Sequence, residues 1–549
     1  MAETLPGAGY WEVGDYRLQL DFWPFNHKPP ATVLKRQGTP FWDYLDEAKI
    51  YSTFYDLPSN YPPSESQYGY HRCLAGMGTP DMLGTYGTYQ HFAEDGPLRT
   101  KDEGGGKRSM LFFENETAHG KIIGPPNTFL VKPEDTAVDF TVHRDTDANA
   151  ALIEIQKHRI LLRQGQWSRW IKLDFEMAIP GPNKHISGIC RFYLQQVREN
   201  FRLYVSPINS DPSDSALKLT EPPEFIKEVS NRLDLFYTTG FQEDHKALSN
   251  KVFTDEEFRT QATYVLQERL NLLDYALANY DDGLLFFYFS STDLQSHMFW
   301  WDSDEKHPVR SSAEAKKYFG DIHQLYGKMD EVLGMILSRY GDKATVLVMS
   351  DHGFANFKRQ FNVNTWLREN GYLYPPDARS VLADVDWART KAYGLGINGL
   401  YINLKGREIY GTVEPGAEYE FYVEELTAKL EAVTDENGRR VIHKAHRADK
   451  DYSGPATALA PDLIVGYRRD YRASWDTCLG GMGGKILYDN DSAWSADHCA
   501  DVAELPGVLF SNKPIAMSAP ALIDLAPTIL TEFGLGVPSS MVGSNILKT

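Results

Sequence analysis

The chain has 549 residues, of which 42% are hydrophobic and 24% charged, and its formal net charge at pH 7 is −19. This balance is typical of globular proteins and excludes a largely disordered chain. The excess of acids argues against a nucleic-acid duplex or an anionic membrane as the main partner, because both repel a negatively charged surface. No stretch reaches the ~18 apolar residues that a membrane helix needs, and the first residues lack the basic and apolar regions of a signal peptide.

The first half of the chain divides into two regions of different pattern. Residues 1–94 are rich in proline, glycine and tyrosine and contain one predicted helix, Phe41 to Ala48. Residues 95–225 alternate apolar and polar side chains between turn residues, which predicts antiparallel strands in a sandwich-like module. Four cysteines lie far apart in the chain, so we predict free thiols rather than a disulfide framework or a cysteine zinc site.

From Thr254 onward the pattern changes to alternating helices and strands. Thr254 to Glu257 forms a capping-box sequence that predicts a long helix ending near Ala278. The apolar run Leu284–Ser290, a predicted helix near residues 313–339 and the run Ala344–Met349 indicate two parallel strands joined by a helical crossover. Residues 226–354 are therefore predicted to form an α/β core with a mainly parallel sheet covered by helices.

The last third is predicted to be a cap or lid, followed by a return to the core. Residues 355–490 contain a predicted helix at Glu418–Glu431 and a predicted strand at Asp462–Gly466. Residues 491–549 contain the apolar strand Gly507–Asn512 and a terminal amphipathic helix. We therefore expect five segments: 1–94, 95–225, 226–354, 355–490 and 491–549.

Acids and histidines follow both predicted core strands. The first strand runs into Asp293 and His297, which are four residues apart and share a face if a helix starts there. The second runs into the adjacent pair Asp351 and His352, and His498 lies in a late loop-like stretch. One Asp-x-x-x-His pair alone is more often structural than functional. Two such endings at the carboxyl ends of sheet strands, together with a late histidine, predict a site for two divalent metal ions, zinc by ligand type.

These residues also carry a family resemblance. The stretches FFYFSSTDLQSHMFW, VLVMSDHGFANF and WSADHC, in this order, resemble the alkaline phosphatase superfamily and, within it, the type I phosphodiesterase / nucleotide pyrophosphatase branch. The resemblance covers most of residues 36–549. It implies an alkaline-phosphatase-like α/β fold, here with an inserted antiparallel β module and a cap or lid. It further implies hydrolysis of a small phosphoester, with a nucleotide as one candidate substrate.

The resemblance also implies roles for the candidate ligands. Asp293, His297 and His498 would hold one Zn²⁺, and Asp351 and His352 would contribute to a second. The two ions would neutralise the phosphoryl group and activate a threonine or serine nucleophile, forming a covalent phospho-enzyme that water then hydrolyses.

The sequence does not identify that nucleophile. Family members begin with a strand ending in a metal-binding aspartate, followed by a threonine or serine at a helix start, and residues 1–40 contain no such pattern. Asp21 follows alternating apolar residues, and Thr39 and Thr53 are available hydroxyls, but none lies in a matching context. A shortened chain, a first unit supplied by another chain and a degenerate relative all remain open, and a shortened chain would leave periplasmic or secreted location open too. For the chain as it stands we expect hydrolysis near background.

Two other functions stay open from the sequence. The chain could be a non-catalytic metal- or ligand-binding relative, or it could run different chemistry on the same fold, as a phosphomutase or phosphonate hydrolase. A sulfatase is disfavoured because Cys73 does not lie in the required motif. Four aromatic residues are candidates for stacking on a substrate, with core packing as the alternative: Phe299, Trp300, Trp301 and Tyr393. The substrate, the compartment and the oligomeric state are left open.

Overall fold

The structure, a computed structural model, describes residues 32–548 except 131, 180, 181, 183, 305–306, 309–319 and 378–379. The stretch that contains Asp21 and the first part of the helix predicted at residues 313–339 lie outside this described part. The described helices are α1 (Phe41–Glu47), α2 (Phe225–Leu233), α3 (His245–Ser249), α4 (Asp255–Ala278), α5 (Ser291–Phe299), α6 (Asp321–Tyr340), α7 (Val363–Glu369), α8 (Ala417–Glu431), α9 (Ala448–Asp451), α10 (Trp475–Cys478) and α11 (Leu525–Glu532).

Short 3-10 helices complete the helical segments, at Trp300–Ser303, Leu382–Asp384, Thr457–Leu459 and Leu522–Asp524. The strands of the first half are β1 (Ser52–Leu57), β2 (His71–Ala75), β3 (Tyr89–Ala93), β4 (Lys101–Glu103), β5 (Gly106–Met110), β6 (Phe113–Glu114), β7 (Thr117–Pro126), β8 (Asp135–Asp145), β9 (Ala150–Ile155), β10 (His158–Arg163), β11 (Gln166–Trp167), β12 (Ile171–Met177), β13 (Lys184–Cys190), β14 (Phe192–Gln196), β15 (Arg202–Val205), β16 (Asn209–Ser210) and β17 (Thr220–Glu221). The later strands are β18 (Leu284–Phe287), β19 (Leu347–Met349), β20 (Ala355–Phe361), β21 (Ala392–Gly394), β22 (Gly399–Ile402), β23 (Ile442–Arg447), β24 (Leu463–Tyr467), β25 (Asp470–Ala473), β26 (Leu487–Asp489), β27 (Ala496–Asp497) and β28 (Leu509–Ser511).

The chain forms two compact units, Met1–Leu294 with Ile523–Asn545, and Gln295–Leu522 with Ile546–Thr549. In the first unit a sheet of strand order β17-β2-β1-β18 has β1 parallel to both β2 and β18. Helices α2 and α4 bury apolar residues against it, and α4 begins with the predicted capping box, in which Thr254 and Glu257 satisfy each other's backbone N–H groups. The helix predicted from this motif is thus confirmed.

The antiparallel strands predicted within residues 95–225 are also present in the first unit. They form the sheets β10-β9-β8-β7-β6 and β12-β13-β16. Together with β3, which precedes this range and runs parallel to β5, they also form the sheet β11-β14-β15-β3-β5-β4. Alternate apolar residues of these strands meet in one core, which includes Ile122, Phe140, Phe175 and Phe192, each at most 2% exposed. The alternation of the sequence thus becomes one buried face for each long strand.

The second unit contains three further sheets. Strand β20 lies between β25 and β26 and also pairs with β27, while another sheet has the order β21-β22-β24-β23 and β19 pairs with β28. Helix α8 and strand β24 lie where the sequence predicts them, within one residue at their ends. Their apolar side chains share a core with strand β20 and helix α7, including Phe361, Trp366, Leu426 and Val465.

The overall class is mixed α/β with sheets of mixed orientation. A mainly parallel sheet was expected for the core. In the sheet β17-β2-β1-β18 two of the three strand pairs are parallel, whereas most of the antiparallel pairs lie within residues 95–225, where antiparallel strands were predicted. Hairpins join many of those strands, and a hairpin joins antiparallel partners. Strands β18 and β19 lie in different sheets, so the crossover pairing predicted from them is not formed, and the residues of both strands are half-buried rather than buried.

Among the described residues, no helix is long and apolar enough to cross a bilayer. The predicted boundaries between the five sequence segments stay predictions.

Candidate metal centre

Helix α5 carries the first two predicted ligands. It begins four residues after strand β18, and the backbone N–H of Asp293 donates to the carbonyl of Ser290, 3.1 Å away, in its first turn. Asp293 and His297 are one helical turn apart, so their side chains share one helix face. Both residues lie in one continuous helix, which sets the position of Asp293 relative to His297.

Three of the predicted imidazoles lie together in the second unit. The ring centres of His297 and His498 are 5.1 Å apart. The rings of His352 and His498 stack, with centres 3.6 Å apart and planes inclined by 13°. The stretches that carry His352 and His498 thus lie close to the end of α5, although His297 and His498 are 201 residues apart in the sequence.

The adjacent residues Asp351 and His352 follow strand β19, at a point where two backbone segments approach each other closely. A Cβ atom at Gly353 would lie 2.7 Å from the carbonyl oxygen of Pro506, so only glycine fits there without displacement of backbone. The Nε2 atom of His352 lies 3.4 Å from Oδ1 of Asp351. The Asp351 side chain is 55% exposed, which makes this the open end of the cluster.

The donor atoms of three predicted ligands converge. Asp293, His297 and His498 each offer a ligand atom, and these atoms lie within 4.8 Å of one another. The charge of Asp351 also reaches His498. The structure thus brings four of the five predicted residues into one cluster through ring contacts or donor distances, with Asp351 at its edge; their role as ligands stays a prediction.

The protonation state of the imidazoles suits a cation. Burial lowers the pKa of His297 to about 3, although the Asp497 carboxylate opposes this shift. Burial likewise lowers the pKa of His498 to about 4. Both rings are therefore neutral at pH 7, and neutral imidazole is the form that binds a metal ion.

The tautomer of His297 is set by its backbone partner. Its Nδ1 atom lies 2.8 Å from the carbonyl oxygen of Ala496. A carbonyl can only accept, so Nδ1 carries the hydrogen and Nε2 carries the lone pair. An imidazole that donates its other N–H to a carbonyl is the usual arrangement around protein-bound metals. One carboxylate and two neutral imidazoles therefore fit Zn²⁺.

A buried carboxylate beside these histidines was missed by the sequence reasoning. Asp497, 5% exposed, accepts from the backbone N–H groups of His498 (2.8 Å) and Cys499 (3.0 Å). Its other oxygen lies 2.7 Å from Nε1 of Trp494 and 2.7 Å from Nε of Arg472. The only available signal was a second acid directly before His498.

Asp497, His498 and Cys499 form another group whose donor atoms lie within 4.8 Å of one another. This group suits a cation less well than the first. Burial raises the pKa of the Cys499 thiol well above its usual value, so the thiol stays protonated, and Asp497 already accepts three hydrogen bonds and forms an ion pair with Arg472.

The remaining candidates have other surroundings. Thr53 lies inside strand β1, where it pairs with Arg72 and Leu285, rather than at a helix start. Phe299 and Trp301 are at most 2% exposed, which favours the packing alternative over stacking on a substrate. Trp300 is half-buried next to Phe354, with ring centres 5.7 Å apart, and Phe354 contacts His297.

Tyr393 stacks on Tyr401, with ring centres 5.2 Å apart, and its hydroxyl reaches Glu408, so its described contacts are internal.

One of three comparisons with known proteins finds a match. No curated protein and no solved structure matches the chain. A family model does: residues 204–476 match the type I phosphodiesterase / nucleotide pyrophosphatase family. The matched region contains strand β18, helix α5 and the Asp351–His352 pair. Residues 204–476 are thus identified as a region of the type I phosphodiesterase / nucleotide pyrophosphatase family, a member of the alkaline phosphatase superfamily.

Proposed function

We propose that the protein is a zinc-dependent hydrolase of small phosphoesters, with nucleotides among the candidate substrates. Membership of the family supports phosphoester hydrolysis as the reaction class. The observation that carries the metal dependence is the convergence of Asp293, His297 and His498 on one point. These three residues would hold one ion, and Asp351 and His352 would contribute to a second.

The chain's own residues have definable tasks in this reaction. A bound zinc pair supplies positive charge that stabilises the anionic transition state of phosphoryl transfer and lowers the pKa of an oxygen nucleophile. The neutral imidazoles of His297 and His498 provide lone pairs, and the exposed side of Asp351 leaves the centre accessible to a substrate from solution. The aromatic walls, Phe354 and Trp494, cover His297 and limit water around it.

We further propose an alkaline-phosphatase-like core that carries residues 95–225 as an inserted module and residues 355–490 as a cap. The family match supports the core, and the continuous antiparallel core of the module supports its description as one inserted body.

A non-catalytic metal-binding relative is the second candidate. It is favoured by the setting of Thr53, a mid-strand residue, whereas a family nucleophile is expected at a helix start. Metal binding and turnover together separate the two candidates.

The test measures both quantities on the full chain. Zinc content after dialysis is determined by plasma mass spectrometry, and hydrolysis is followed with a nitrophenyl phosphodiester, a nitrophenyl phosphomonoester and nucleotides. We expect bound zinc, strongly reduced by His297→Ala. Zinc-dependent turnover above the near-background rate that the sequence predicts, also strongly reduced by His297→Ala, would support the hydrolase. His323→Ala, an exposed histidine on helix α6, is the matched control and should leave both unchanged. Bound zinc without turnover would favour the non-catalytic relative, and no bound zinc would reject the metal-dependent function.

A further inference from the structure

One loop supports both of the central imidazoles. Residues 494–499 include His498 itself, and Ala496, whose carbonyl accepts the Nδ1–H of His297. Trp494 covers the ring of His297, with ring centres 3.7 Å apart and planes inclined by 30°. The backbone N–H of Ser495 donates to the carbonyl of His297 at 2.9 Å, so the loop is also attached to the end of helix α5.

Asp497 is the centre of this loop. One of its oxygens accepts the backbone N–H groups of His498 and Cys499, which fixes the direction in which the chain leaves toward the His498 side chain. Its other oxygen accepts from the indole N–H of Trp494 and so holds the indole over His297. The same carboxylate therefore restrains His498 through the backbone and His297 through a neighbouring ring.

Arg472 contacts the same oxygen of Asp497 as Trp494 does. It is 2% exposed, its guanidinium lies 2.7 Å from the carboxylate, and it stacks on Trp475 at 4.0 Å and on Phe357 at 5.1 Å. A guanidinium fixed between two rings cannot follow a displaced carboxylate. The position of Asp497 is thus set by strand β25 rather than by the loop alone.

We propose that Asp497 is a positioning residue that presets His297 and His498 for a metal ion. This inference rests on the proposed metal-dependent function. In it Asp497 does not bind the ion but holds the histidines that do. Buried groups that orient metal-binding histidines typically change metal affinity about 10–100-fold when they are substituted.

The variant Asp497→Asn tests the proposal, because it keeps shape and removes the charge together with one acceptor. We expect its zinc affinity, measured by competition with a chelating dye, to fall about tenfold or more. Substituting Co²⁺ for zinc gives a visible spectrum that reports ligand geometry, and we expect this spectrum to change in band position or intensity.

Asp501→Asn is the matched control. Asp501 is 3% exposed, lies four residues further along and accepts from His446 and from the backbone N–H of Ala503. We expect its zinc affinity and Co²⁺ spectrum to match the wild type. Equal losses in both variants would overturn the proposal, since they would indicate general destabilisation of the unit.

Trp494→Phe keeps the test decisive if Asp497→Asn does not fold. Phenylalanine keeps a ring beside His297 but removes the indole N–H that donates to Asp497, and we expect zinc affinity to fall several-fold with an altered Co²⁺ spectrum. Wild-type affinity and spectrum in both site variants would overturn the positioning role while leaving the proposed function intact. Absence of zinc binding by the wild type would instead overturn both.

Discussion

Each unit of the molecule contains a buried aspartate paired with a buried arginine, and the two pairs differ in how the carboxylate is satisfied. In the first unit Asp56, at the end of β1, receives the guanidinium of Arg269. In the second unit Asp497 receives Arg472 and three further donors, an indole N–H and two backbone N–H groups. Both arginines are at most 2% exposed.

This difference gives the two carboxyl groups opposite pKa shifts. Burial raises the pKa of Asp56, and Arg269 offsets this only in part. Burial would also raise the pKa of Asp497, but the charge of Arg472, the neighbouring His297 and His498, and a hydrogen bond at Cys499 hold it well below its usual range. A buried cation alone thus does not secure a buried carboxylate, because the desolvation cost is large and each remaining lone pair needs its own donor.

The largest loss of stability is expected when Arg269 is removed, because its partner Asp56 has fewer other donors than Asp497. We expect Arg269→Met to lower the free energy of unfolding by about 3–5 kcal/mol at pH 7, because it leaves the Asp56 charge buried without compensation. Urea unfolding followed by circular dichroism measures it. A loss similar to that of a surface substitution would show that Asp56 is protonated or hydrated in the folded protein.

The same substitution in the second pair should cost less. We expect Arg472→Met to lower the free energy of unfolding by about 1.5–3 kcal/mol, because the indole and backbone N–H groups still compensate Asp497. The measurement uses the same urea titration, without added metal. If both arginine variants lost the same stability, the number of remaining donors would not be the deciding factor.

A pH series gives a smaller and more specific comparison within the first unit. The pKa of Asp56 is raised in the folded protein. Deprotonation of this group therefore lowers the free energy of unfolding as pH rises from the unfolded pKa of about 3.9 toward the folded value. Burial alone would raise the pKa of Asp46. The hydrogen bonds that its carboxylate accepts, those from the backbone N–H groups of Tyr68 and Tyr70 foremost, outweigh burial and lower this pKa. Its stabilising contribution is present above the unfolded pKa and is lost as pH falls through the folded pKa.

Asp56→Asn and Asp46→Asn isolate these two contributions. Stability relative to the wild type, measured by urea unfolding between about pH 3 and 6, should change with pH in opposite directions for the two variants. Changes of the same sign would contradict the assigned shifts.

The smallest effect is expected for an ion pair that lacks burial. Nζ of Lys121 on β7 lies 2.9 Å from Oδ1 of Asp139 on β8, but the two side chains are 66% and 79% exposed. We expect Lys121→Ala to leave the urea midpoint unchanged within error, because solvent screens the pair and its formation costs side-chain entropy. A clear loss would mean that pairing itself, and not burial, sets the difference between the two arginine variants.

Local patterns in the sequence predicted individual elements well. The capping box at Thr254 located the start of α4, and the alternation in residues 95–225 predicted its antiparallel strands, because both signals depend on neighbours within a few residues. The order of acids and histidines after β18 and β19 also predicted the residues that now cluster around His498.

Pairing between strands was predicted less well. The apolar runs of β18 and β19 suggested adjacent buried parallel strands, yet β18 is the edge of its sheet and β19 pairs with β28. Hydrophobicity shows that a strand prefers burial, but it does not select the neighbour, and that choice depends on contacts between distant segments.

The sequence by itself determined the helices with a clear local signal, such as α4 and α8, the antiparallel strands of residues 95–225 and the donor types at the candidate metal centre, since these follow from side-chain chemistry and short-range periodicity. Only the tertiary structure decided that Arg472 meets Asp497. Strand β20 pairs with β25, which carries Arg472, and with β27, which carries Asp497, and so brings the two side chains together. No short-range signal encodes that meeting, because its physical cause is the hydrogen-bonded register of a third strand more than 100 residues away from both.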